Sequence, residues 1–172
     1  MYEDYDVFSS NRTGSEINQL TSENGYDAEA TVSMDGSRIV YTSISSGDLE
    51  IWTMNTDGTD KRMLTNELGY DGGPFFSHDG KKIIWRAYYP QTDEEIKDYK
   101  SLINQSMIRP MNLQIRTMNS DGTNKKQITF EINPKNFQDY IDCGMMNDEL
   151  YVNYISRIFE ASLVIETAIN AR

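Results

Sequence analysis

From Tyr5 to Thr129 the chain consists of short apolar runs of strand length, broken by Asp35-Gly36, Asp57-Gly58, Asp79-Gly80 and Asp121-Gly122. Asp-Gly between such runs predicts a tight hairpin. The turn needs positive φ, which Gly accepts without steric penalty and Asp tolerates by bonding its own backbone. Strands are expected near 28–33, 38–43, 49–55 and 61–65, again near 73–77, 82–87, 113–118 and 125–129, with two more inside 5–21. Ile39, Tyr41, Ile51, Trp52, Ile83, Trp85 and Ile115 are the expected packing residues.

These runs are copies of one another. Residues 25–43 align without gaps on 69–87, 44 residues later, with seven of nineteen positions identical, among them Gly-Tyr-Asp, Ser-x-Asp-Gly and one Ile. Residues 49–65 recur as 113–129 with ten of seventeen identical at an offset of 64, twenty longer. A weaker copy, 5–21, stands 44 residues before the middle one. A four-stranded meander cannot bury both faces alone and must stack on neighbours, so a period in the forties predicts β-propeller blades. The expected class is all-β, a partial propeller of two full four-stranded antiparallel blades plus half a blade. Its expected divisions are a half blade at 5–21, a blade at 25–65, a blade at 69–129 interrupted by an insertion at 88–112, and a non-repeat tail at 130–172.

The repeated motifs resemble the TolB-like β-propeller family, a WD-like class with a Ser-Pro-Asp-Gly-Lys-Lys-Ile signature. Here the signature reads Ser33-Met34-Asp35-Gly36-Ser37-Arg38-Ile39 and Ser77-His78-Asp79-Gly80-Lys81-Lys82-Ile83, with Met34 and His78 where the family usually has Pro. The family's closing motif, Met-Asn-x-Asp-Gly-Thr and a terminal apolar-Thr pair, is matched at 54–65 and 118–129. The resemblance implies a domain and no particular reaction. It also implies a periplasmic or secreted setting in the bacterial envelope, where such propellers dock other proteins or are fused to hydrolases.

In a meander the connections alternate between the two ends of the sheet. The Asp-Gly turns therefore share one propeller face, while the Gly25-Tyr26-Asp27 and Gly69-Tyr70-Asp71 segments, the 44–48 loop and the long 88–112 excursion share the other. Within the excursion, Thr92 followed by Glu95 is a capping box, and Ile96, Tyr99, Leu102 and Ile103 recur at helical spacing, so an amphipathic helix is expected to lie across this face. Tyr26, Asp27, Glu29, Tyr70, Asp71, Ile96, Tyr99 and Leu102 are the candidate binding residues. Two readings of the Tyr-Asp pairs stand side by side. Asp27 and Asp71, with Glu29, could form a carboxylate ring able to hold a cation, or Tyr could pack between blades while Asp caps backbone, the reading favoured by how often Asp does so.

Composition narrows the function. Twenty-seven acidic against sixteen basic residues give a formal charge of −11, which repels phosphate backbones and anionic lipid, so no nucleic-acid partner is expected. No apolar run approaches a membrane span, and no membrane insertion is expected. Cys143 has no second Cys to pair with, and His78, the single histidine, falls in a hairpin turn. No nucleophile elbow, zinc-protease pair, phosphate loop or dinucleotide fingerprint occurs. The chain is thus expected to be a protein-binding scaffold without catalytic residues, metal or cofactor. The alternative is the propeller of a hydrolase whose catalytic domain lies outside this sequence.

After Thr129 the next Gly-Tyr-Asp would fall at 133–135, where Asn133-Pro134-Lys135 stands. Tyr151, Ile155, Ile158, Phe159, Ile165 and Ile169 predict a C-terminal helix near 149–169. Propellers close with about four to eight blades, so the expectation is a piece of a larger propeller whose open blade edges could self-associate. The acidic start lacks a signal-peptide pattern, which leaves the compartment open.

Overall fold

The computed structural model describes residues 4–109 and 112–129, which lie within one compact unit. The predicted tail and its helix fall outside the described residues. Strands β4 (Gly25–Val32), β5 (Arg38–Ser43), β6 (Glu50–Asn55) and β7 (Arg62–Met63) form one antiparallel meander, and β1 (Asp4–Tyr5) adds to its inner edge in parallel. Strands β8 (Tyr70–Phe76), β9 (Lys82–Tyr88), β10 (Gln114–Asn119) and β11 (Lys126–Gln127) form the second, and β2 (Phe8–Ser10) with β3 (Ile17–Gln19) the half blade. The helix α1 (Asp93–Ile103) interrupts the second blade between β9 and β10.

The Ser-x-Asp-Gly signature is a hydrogen-bonding device. In the first copy the Ser33 hydroxyl donates to Asp35 Oδ1 at 2.6 Å while accepting from Arg38 N–H, and the Ser37 amide donates to the same Asp35 oxygen. Ser77, Asp79, Lys81 and Lys82 repeat it atom for atom. Gly36 and Gly80 take φ of 73° and 69°, which the turn requires.

Packing between blades follows the repeat. Val40, Ile51 and Leu64 of the first blade meet Ile83, Trp85, Ala87 and Met118 of the second, and Val7 and Leu20 of the half blade meet Ile39, Tyr41 and Met54. Along β9, Ile83, Trp85 and Ala87 are buried while Ile84 and Arg86 are exposed, the alternation of a strand with one covered face. Of the predicted packing residues, Ile39, Tyr41, Ile51, Ile83 and Trp85 are core, whereas Trp52 and Ile115 are half-buried.

The innermost strands begin earlier than the sequence predicts. Gly-Tyr-Asp was expected as an inter-blade loop, yet in both copies Tyr and Asp lie within the strand. The reason is a parallel contact to the preceding strand, which the hydrophobic pattern does not encode: Tyr5 pairs with Tyr26, and Leu49 bridges to Tyr70. A bulge in each strand, between Ala28 and Thr31 and between Gly72 and Phe75, absorbs the added length.

Candidate binding face

The two bulges build the site. Glu29 adopts φ 55°, the left-handed region that a non-glycine residue enters at a cost, and its counterpart 44 residues on is Gly73, at 59°. Glycine there leaves space beside the backbone that the Arg86 guanidinium fills. Arg86 Nη2 donates to Glu29 Oε1 at 2.7 Å, and Glu29 Oε2 accepts from Gly73 N–H at 2.6 Å and the Thr42 hydroxyl at 3.0 Å. Three donors, two of them from the second blade, thus hold a strained carboxylate. Tyr26 and Tyr70 flank it half-buried, and a Cβ added at Gly72 would run into the Tyr70 hydroxyl and come within 3.0 Å of Glu29 Oε2. Burial first, and the Glu29 carboxylate second, push both phenols above their ordinary range. Tyr26 also stacks on Tyr5, centroids 5.8 Å apart.

The structure therefore brings together Tyr26, Glu29 and Tyr70 and adds Arg86, which the sequence did not single out. It separates Asp27 and Asp71, expected on the same face. They are 4% and 0% exposed, because neighbouring strand residues point to opposite sides and theirs is the inter-blade seam. Asp71 Oδ1 accepts from Trp85 Nε1–H at 2.6 Å and from the Tyr89 hydroxyl at 2.8 Å. A carboxylate ring of Asp27, Asp71 and Glu29 is not formed, and no group of three or more His, Cys, Asp or Glu among the described residues is arranged to hold a metal ion.

Helix α1 forms where its signals place it. Thr92 accepts from Glu95 N–H, and the Glu95 carboxylate accepts from Thr92 N–H in return, a complete capping box. Tyr99, a candidate contact residue, is instead the anchor: it is 4% exposed and its hydroxyl donates to Asp48 Oδ1 at 2.5 Å. Asp48 Oδ2 accepts from Gly69 N–H, so the helix is tied to the link between blades. Ile96 and Leu102 are half-buried, and Asp93, Glu94, Lys97 and Asp98 remain on the exposed side. No helix among the described residues is long and apolar enough to cross a membrane.

A cleft of about 610 Å³ opens at the opposite end, among the Asp-Gly turns of both blades, lined by Met34, Arg38, Arg62, Phe76, His78 and Asp121 among others. Arg38 is already engaged there by Asp60 at 2.8 Å and Asn55 at 2.6 Å. His78 is an exposed turn residue.

The sequence matches no protein-family profile and no curated protein. Solved structures do match. A protein designated TolB from Agrobacterium tumefaciens superposes with a TM-score of 0.58 at 22% identity, over 71% of this chain and 40% of that one. TolB from Acinetobacter baumannii gives 0.56 at 18% identity over 72% of this chain and 26% of that one. A nidogen/laminin complex gives 0.50 at 18% identity over 71% and 39%. The chain has a TolB-like β-propeller fold, and it spans less than half the length of each of these structures.

Proposed function

We propose that this chain is a non-catalytic protein-binding scaffold, contacting its partner on the face that carries α1 and the group of Tyr26, Glu29, Tyr70 and Arg86. The observation that carries the reading is Glu29. A residue kept at positive φ inside a half-exposed aromatic and charged cluster is a costly arrangement, and such strain concentrates where a surface is used. Tyr and Arg are also the residue types that dominate contact energy in protein interfaces. The acidic balance of the chain disfavours nucleic acid, and its single histidine, exposed in a turn, has no nucleophile beside it in the sequence motifs that hydrolases require.

The test is affinity capture with three proteins: wild type, Tyr26→Ala with Tyr70→Ala, and Arg62→Ala in the opposite cleft as a control. Loss of a captured protein in the double variant alone, with melting temperature retained, supports the reading. An unchanged set of captured proteins in the double variant overturns it. Deleting residues 93–103 separates the contribution of α1 from that of the tyrosines.

A further inference from the structure

We propose that Glu50 and Asp71 share one buried proton across the seam between the two blades, making that seam a latch that loosens as pH rises. Glu50 is 3% exposed and Asp71 0%. The parallel bridge from Leu49 to Tyr70 brings the next residue of each strand, Glu50 and Asp71, side by side. Each carries a buried oxygen, Glu50 Oε2 and Asp71 Oδ2, that no donor among the described residues satisfies. Two carboxylates in dry contact repel, and an unpaired buried charge is costly. One proton removes both problems: one carboxyl becomes a donor, the other accepts, and both orphan oxygens are satisfied. Asp71 already accepts from Trp85 and Tyr89, an arrangement that favours its ionised form, so Glu50 holds the proton.

The surroundings agree. Burial pushes Glu50 up; the polar Thr65 side chain beside it opposes this, and the charges of Asp71 and Asp48 add to it. Asp71 is raised by its burial, against the opposing effect of its bonds from Trp85 and Tyr89. The other titratable or charged groups packed around the pair are Asp48 in the 44–49 loop, Tyr99 and Lys100 of α1, Tyr89 after β9, Arg116 of β10 and Glu67 before β8. Lys100 acts on Asp48, Arg116 lies 4.8 Å over the Tyr89 ring, and no ion pair reaches Glu50 or Asp71 among the described residues.

The repeat supplies internal controls. The Glu50 position is Asp6 in the half blade and Gln114 in the second blade, and the partnering threonine is Thr21, Thr65 or Thr129. Each threonine oxygen accepts the N–H of the residue after the acid or amide, at 2.9, 2.8 and 2.7 Å. Asp6 is half-exposed and bonded by Gln19 and Thr21, and Gln114 accepts from the Thr129 hydroxyl at 3.0 Å. Only the middle copy buries two carboxyls together, and Gln114 shows that an amide is compatible with this position in a blade.

A group whose pKa is raised on folding binds its proton more tightly in the folded chain. Its contribution to stability is whole below the ordinary carboxylate range and is lost as pH rises through the folded value. Glu50→Gln donates an amide N–H to Asp71 with no proton to lose. Between about pH 5 and about pH 9 the wild type should lose several degrees of melting temperature more than Glu50→Gln. Infrared spectra of the wild type at neutral pH should contain a protonated-carboxyl carbonyl band that shifts on ¹³C-labelling of glutamate and disappears at high pH. Parallel melting profiles in the two proteins, or no glutamate-derived band at neutral pH, overturn the proposal. The infrared measurement needs only the wild type, so it decides even where the variant fails to fold.

Discussion

Replacing Glu29 with Gly sets two opposing effects against each other. Glycine relieves the left-handed backbone, worth about 1–2 kcal/mol for a non-glycine residue. Its looser unfolded chain returns roughly 0.5–1 kcal/mol of that. The net relief is therefore at most about 1.5 kcal/mol. Against it stand three lost hydrogen bonds. The Gly73 N–H loses its carboxylate but keeps the Thr42 hydroxyl at 3.3 Å, which puts its cost near the lower end of about 1–3 kcal/mol for a stranded polar group. The fully buried Thr42 hydroxyl loses its acceptor, for about 1 kcal/mol. The Arg86 pair, with side chains 44% and 29% exposed, is screened and contributes about 0–1 kcal/mol. The losses win by roughly 0.5–3 kcal/mol, or about 1–12 °C in melting temperature for a chain this size. Differential scanning calorimetry of Glu29→Gly and Glu29→Gln decides it. Gln keeps an acceptor and the same backbone strain, so it should lose less than half as much. A Glu29→Gly protein melting at or above wild type would show that strain outweighs the network and refute the reasoning.

Ile83→Ala, emptying a fully buried site between blades, should cost about 2–5 kcal/mol in urea denaturation, whereas Ile84→Ala, one residue along the same strand and 41% exposed, should stay within about 1 kcal/mol. Tyr99→Phe removes the bond to Asp48 and should accelerate protease cleavage within 92–108 with little change in global melting, because α1 undocks locally. Thr92→Ala should weaken the same helix by about 1 kcal/mol through the lost cap, seen as faster amide exchange in its first turn. Thr65→Val strands the buried Ile51 N–H and should destabilise by about 1–3 kcal/mol, more than Thr129→Val, whose site is half-exposed.

The fold was legible because its determinants are local and repeated. Asp-Gly turns, strand-length apolar runs and the capping box at Thr92 act within a few residues, and a period of 44 says how the units stack. What the pattern did not carry is the contact between a strand and the next blade. The bridges from Tyr5 to Tyr26 and Leu49 to Tyr70 are parallel pairings across 21 residues, and they turn an expected loop into strand. That shift decides which side of the sheet each residue faces. It sends Tyr26 and Tyr70 to a half-exposed surface and Asp27 and Asp71 into the seams, so the Tyr-Asp pairs divide between exposed face and buried seam. Arg86 gave no signal of its own, since its role exists only where Gly73 leaves room.

One signal was in the sequence and needed three copies to be read. A polar residue stands at or just before the start of the corresponding strand in each, Asp6, Glu50 and Gln114, with a threonine fifteen residues later. In all three the threonine oxygen accepts the backbone N–H of the residue after that polar one, and in the half blade and the second blade its hydroxyl also donates to Asp6 and Gln114. The same arithmetic identifies the forward face of the second blade. Val40 and Leu64 are 0% and 9% exposed beneath that blade, and their counterparts Ile84 and Ile128 are 41% and 51% exposed. Four-stranded blades of this composition hide such residues only by stacking, so the surface of Phe75, Ile84 and Ile128 has the character of an inter-blade seam. Polar substitution there should raise solubility without loss of stability in this chain.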